Sequence, residues 1–176
     1  MKKPTPEKIA VLLMAHGGPD SLDDIELFLR HIMKDRVPTP EVVDLIKERY
    51  RLIGGKSPLL EITQRQAEAL EKELNKREPR FEVHIGMRHW RPLIKETVKE
   101  ILEGGARRLI AISLAPQYSK LSVGAYIQTL KTALADAGSD LATITVDSWH
   151  DQPLLLDAFA KKVREALATY PEEIQS

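Results

Sequence analysis

The chain alternates short, nearly unbroken apolar runs with longer stretches in which apolar positions recur every three or four residues. The runs are Lys8 to Ala15, Phe81 to Met87, Arg107 to Leu114 and Ala142 to Asp147. They are read as apolar runs rather than as the polar and apolar alternation of a strand with one wet face. Each therefore predicts a strand covered on both sides, as in a parallel sheet. Four strands are too few to close a barrel.

Helix signals fill the intervals. Ser21, with Asp24 three residues on, has the form of a capping box for a helix through Met33, and Ile25, Phe28, Leu29 and Ile32 make its apolar stripe. Thr39-Pro40 opens a second helix whose Val43, Ile46, Lys47 and Tyr50 share a face. Gly54 stops it, which puts Tyr50 in the last turn. Further helices are predicted from about Leu59 to Lys76, Pro92 to Gly104-Gly105, Ser122 to Ala137 and Pro153 to Ala168. Parallel strands joined by helices of this length need right-handed crossovers. The fold class is therefore α/β: a flavodoxin-like, doubly wound parallel sheet of four strands with helices on both faces. Residues 1–170 read as one domain, without repeats or low-complexity segments.

Composition narrows the function. A chain of 176 residues, 43% apolar, can bury one sizeable core. Its 26 basic and 26 acidic residues cancel, so no field draws it to nucleic acid. The absence of cysteine excludes disulfides, thiolate metal sites and cysteine-ligated iron–sulfur clusters, leaving His and oxygen ligands for any metal. The longest apolar stretch, Ile9 to Ala15, is far short of the roughly 20 residues a transmembrane helix needs. Met1-Lys2-Lys3-Pro4 is not followed by a signal-length apolar core, so the expected location is cytoplasmic.

In an open parallel sheet, ligands bind outside the carboxyl ends of the strands. The four strands deliver His16-Gly17-Gly18-Pro19, Arg88-His89-Trp90, Pro116-Gln117-Tyr118-Ser119 and Ser148-Trp149-His150 to that rim. His16 reads either as a loop histidine bonded to backbone or as a functional group. His89 and His150 admit the same pair of readings, whereas His84 within a strand and His31 within a helix read as structural. Trp90 and Trp149 read as covers for the sheet ends. The segment Ile53-Gly54-Gly55-Lys56-Ser57-Pro58 ends like a phosphate loop, but Tyr50 stands where that motif needs glycine, and the segment follows a helix. It is better read as a helix stop followed by a new start. The His16 turn lacks the spacing of a dinucleotide fingerprint, although the helix start after it could still hold an anion.

Several motifs occur together in one order. They are Leu12-Leu13-Met14-Ala15-His16-Gly17-Gly18-Pro19, Arg49-Tyr50-Arg51-Leu52-Ile53-Gly54-Gly55-Lys56-Ser57-Pro58-Leu59, Ile62-Thr63 with Gln66, Gly86-Met87-Arg88-His89-Trp90 with Pro92, and Leu114-Ala115-Pro116-Gln117-Tyr118-Ser119. From about Lys8 to Tyr170 the chain resembles the amino-terminal half of the ferrochelatases, which insert ferrous iron into protoporphyrin IX or coproporphyrin III in haem biosynthesis. The resemblance implies a chelatase-like fold of two similar halves with the porphyrin in the cleft between them. It implies porphyrin-facing positions at His16, Arg49, Tyr50, Ser57 and Tyr126, with His89 a further candidate. It also implies a tentative axial iron-ligand role for His16, where several bacterial relatives carry an iron-ligating tyrosine; imidazole is a sound substitute. Met33 departs from relatives that place a porphyrin-facing arginine there.

Ferrous iron and porphyrin are expected as substrates, with no built-in cofactor. The family's catalytic histidine and glutamate belong to the second half and are absent from this sequence, so its own catalytic residues are unknown. Residues 171–176 read as the start of a linker to that missing domain. Expected partners are a second chelatase half or, alternatively, a second copy of the chain in a half-size homodimeric chelatase. A non-catalytic porphyrin-binding module is the remaining alternative.

Overall fold

The computed structural model describes residues 7–34 and 36–170; the segment read as a linker start, 171–176, lies outside the described residues. The elements run β1 (Ile9–Ala15), α1 (Ile25–Met33), α2 (Pro40–Arg51), α3 (Leu59–Leu74), β2 (Phe81–Met87), α4 (Ile94–Glu103), β3 (Arg108–Ser113), α5 (Val123–Asp136), β4 (Ala142–Val146) and α6 (Pro153–Leu167). The four strands form one parallel sheet in the order β2-β1-β3-β4.

All seven residues of β1 are buried, as its uninterrupted apolar run requires of a central strand. Successive side chains point to opposite faces, so β1 feeds two cores at once. Ala10, Leu12 and Met14 join Ile94, Val98 and Ile101 of α4 and Leu130 of α5. Val11 and Leu13 join Ala67, Leu70 and Leu74 of α3. A third cluster unites α1 and α2 through Ile25, Leu29 and Val43, with Met33, Ile46 and Tyr50 packed against it. Met33 is here an apolar packing residue.

Two helix starts differ from the sequence reading. Ser21 does not cap α1: its hydroxyl donates to the Asp24 carboxylate at 2.6 Å, so the two side chains satisfy each other in the turn and the helix begins at Ile25. Helix α4 begins at Ile94 rather than Pro92, with the Glu96 carboxylate accepting the Leu93 N–H at 3.0 Å. Pro92 is held one step earlier, its carbonyl accepting the Met87 N–H at 2.6 Å.

The fourth strand and last helix stand apart from this packing. No residue of α6 is buried, and Leu154, Leu156, Phe159, Val163 and Leu167 are exposed along it. On the neighbouring edge strand Ile144 is 67% exposed. No helix among the described residues is long and apolar enough to cross a membrane.

Candidate functional site

The register between β1 and β2 pairs Ala15 with Met87. The two chains stay together past the last paired residue. The Arg88 N–H donates to the Ala15 carbonyl at 3.0 Å, and the His89 N–H donates to the His16 carbonyl at 2.9 Å. This stitching brings two of the rim histidines into contact, their ring centroids 4.7 Å apart and their planes tilted by 54°. His16 is exposed; His89 lies behind it and is only 7% exposed.

The inner side of His16 is closed by α1. Phe28 meets the His16 ring edge-on at 6.2 Å, and Trp90 meets Phe28 edge-on at 5.9 Å. Trp90 is a sheet-end cover, as its position suggested: it is buried and its indole N–H donates to the Asp20 carboxylate at 2.8 Å. His31 has the structural role expected of it, its Nδ1 lying 3.2 Å from the His89 carbonyl and its ring 5.9 Å from that of Trp90. An N–H on that nitrogen donates to the carbonyl.

Both rim imidazoles are held away from the protonated state. Burial lowers the pKa of His16, and the Arg88 guanidinium lowers it further. Burial lowers that of His89 to about 4, with the His16 and Arg88 charges adding to the effect and a hydrogen bond to the His31 backbone opposing it. At neutral pH the pair presents unprotonated ring nitrogens, the state in which imidazole can ligate a metal or take up a proton.

The glycine turn after His16 exists because two other segments press on it. Gly17 has φ +90°, and a Cβ there would lie 2.8 Å from the Trp90 backbone nitrogen. A Cβ on Gly18 would meet Ser57 Oγ at 2.3 Å and come within 3.8 Å of the Tyr50 hydroxyl. The Ser57 N–H donates to the Pro19 carbonyl at 2.9 Å, and Gly55, at φ +83°, donates its N–H to the Tyr50 carbonyl at 2.8 Å. The α2 end and the glycine loop thus fold onto the His16 turn. Tyr50 is half-buried, and burial raises the pKa of its phenol, which keeps it a neutral hydrogen-bond donor. Arg49, beside it, is exposed and makes no ion pair with another described residue.

The structure therefore brings Tyr50 and Ser57 against the turn that follows His16, with Arg49 next to Tyr50 in the chain and His89 against the His16 ring. It does not bring Tyr126 to this rim. Tyr126 is 5% exposed and packs with Leu12, Met14 and Leu130 in the core between the sheet and α4–α5. His150 is exposed and its Nδ1 lies 2.7 Å from Ser148 Oγ, a local pairing that leaves it in the loop after β4. Trp149 covers its own sheet end, donating to the Ser113 carbonyl at 2.8 Å. Two contributors were missed in the sequence: Phe28, read only as helix stripe, and Arg88, whose charge acts on both histidines. Among the described residues, no group of three or more His, Asp or Glu side chains is arranged to hold a metal ion.

A family model described as ferrochelatase matches residues 8–176. A ferrochelatase of Herpetosiphon aurantiacus is 36% identical over 169 residues, covering 96% of this chain and 55% of the relative. A ferrochelatase of Deinococcus radiodurans is 41% identical over 165 residues, covering 94% and 52%. A coproporphyrin III ferrochelatase of Bacillus subtilis is 37% identical over 169 residues, covering 95% and 54%. The chain spans about half the length of the curated relatives it matches.

Proposed function

The chain belongs to the ferrochelatase family, and we propose that it forms the porphyrin-binding amino-terminal half of an enzyme inserting ferrous iron into a porphyrin. The observation that carries this reading is the packing of the His16-Gly17-Gly18-Pro19 turn against Tyr50 and Ser57. That packing builds a wall from the His16 turn, Tyr50 and Ser57, and beside it Gly54 is open, with nothing within 4 Å of a Cβ built there; Arg49, next to Tyr50 in the chain, has no ion pair among the described residues. A flat macrocycle with carboxylate substituents needs each of these. Gly54 and Gly55, between Tyr50 and Ser57, can let the ring plane approach the backbone, Tyr50 and Ser57 can donate to its edge, and Arg49 can take a propionate in a bidentate pair.

His16 stands at the exposed end of this wall, and its exposed, unprotonated imidazole would serve as a nitrogen ligand for the iron of the product. Insertion requires two pyrrole protons to leave and ferrous iron to shed water. We assign those duties to a second half, where the family resemblance puts its catalytic histidine and glutamate. The relatives named coproporphyrin III ferrochelatases make coproporphyrin III the first substrate to try, with protoporphyrin IX beside it.

The exposed apolar stripe of α6 supports a partner, because such a surface is ordinarily covered. The second half of the relatives is the occupant we favour. The same surface gives the homodimer a specific observation in its favour, and a dimeric mass at micromolar concentration would turn the choice toward it. The reading is tested by titrating coproporphyrin III into the chain and following its absorbance and fluorescence. Saturable binding that weakens in His16→Ala and Arg49→Ala is expected; equal binding by all three proteins would refute the assignment.

A further inference from the structure

We infer that His89 is a positioning residue for His16, a tilted aromatic platform whose ring, packed at 54° to that of His16, fixes the plane in which the His16 ring is offered to its ligand; the inference rests on the reading of His16 as the metal-facing residue. An exposed histidine at the end of a strand ordinarily turns freely about its terminal torsion, whose energy profile is broad. His16 does not have that freedom. The His89 ring lies 4.7 Å away on one side and the Phe28 edge 6.2 Å away on another.

The platform is itself immobilised. His89 is buried, its N–H is bonded to the His16 carbonyl at 2.9 Å, and its own carbonyl is 3.2 Å from Nδ1 of His31. His31 in turn lies against Trp90, and Trp90 is tied to Asp20 at 2.8 Å. Phe28 is held by the same indole at 5.9 Å. Both rings that pack against His16 are thus fixed by another contact, while His16 itself is exposed. An axial ligand must aim one nitrogen lone pair along the normal of a macrocycle, so a ring held in advance loses little freedom when it ligates. His89 is too deeply buried to reach the macrocycle and acts through its neighbour.

Two variants isolate the platform from the bulk it occupies. His89→Leu fills the space without a flat face, and His89→Phe keeps the face without ring nitrogens. In the ligand-free chain, carbon relaxation at the His16 ring should report a rigid ring in the wild type and in His89→Phe, and an order parameter falling below about 0.6 in His89→Leu. With ferric protoporphyrin IX as the probe, His89→Leu should show partial loss of the histidine-ligated spectrum and about fivefold weaker binding, and His89→Phe should restore both. An unchanged ring order in His89→Leu overturns the positioning role whatever the haem spectrum shows. A His16→Ala spectrum identical to wild type overturns instead the ligand reading of His16, and the relaxation result then judges the platform alone.

Discussion

A Cβ added to Gly18 would stand 2.3 Å from Oγ and 2.5 Å from Cβ of Ser57, closer than any real side chain approaches another. The two residues are separated by α1 and α2 in sequence, yet they share one wall of the candidate site. Gly18→Ala should therefore push the Ser57 loop outward, costing about 1–3 kcal/mol of stability and weakening porphyrin binding. Ser57→Gly removes both clashing atoms, so the double variant should recover most of the lost stability. Urea denaturation of the two single variants and the double variant measures this as a coupling energy. Additive effects would show that the two segments do not touch.

The depressed pKa of His89 gives stability a defined pH dependence. The unfolded chain binds a proton near pH 6.5, whereas the folded state refuses it until about pH 4. The unfolded state thus holds more protons in that window, and stability falls as pH drops from about 6.5 toward 4. His16, shifted the same way, adds to the slope. Folding free energies at pH 7 and pH 5 should differ by about 2 kcal/mol from His89 alone. In His89→Phe that share of the difference should vanish.

Arg49→Ala should separate binding from folding. The guanidinium is exposed and has no ion-pair partner among the described residues, so its loss should change stability by less than about 0.5 kcal/mol. If it pairs with a propionate, porphyrin affinity should drop roughly tenfold or more. The affinity of the variant should also depend less on salt than that of the wild type. Titrations at two ionic strengths check both statements.

The apolar face of α6 makes a further distinction. Phe159 is exposed, so Phe159→Asp should leave the folding free energy of this chain within about 0.5 kcal/mol. Association with a separately produced second half should weaken sharply, because a charge would be buried without a partner. Sedimentation of the mixed halves, with wild type and variant, reads the difference.

Much of this was legible in the sequence because the signals are local. The unbroken run of β1 announced a strand buried on both faces, and the placement of Tyr50 in the last turn of α2 followed from Pro40 and Gly54. The position of Tyr126 was legible too. Val123, Tyr126, Leu130 and Ala133 have the spacing of a buried helix face, and all four are buried; the family resemblance alone made Tyr126 a porphyrin-facing position on this helix. The contact of Phe28 with His16 was not legible, since it depends on how α1 lies over the sheet end. Nor was the exposure of α6, whose stripe predicts a cover that no described element supplies. The failed Ser21 cap shows the same limit at short range: the hydroxyl donates to the Asp24 carboxylate instead of accepting a backbone N–H of the first helical turn.

The most direct test of the central claim is an iron-insertion assay with ferrous iron and coproporphyrin III, run on this chain and on the same chain extended through a second half like that of its relatives. The chain alone should bind the porphyrin and shift its spectrum but form no metalloporphyrin, while the extended protein turns over. Metal insertion by the 176-residue chain at the rate of the extended protein would contradict the account.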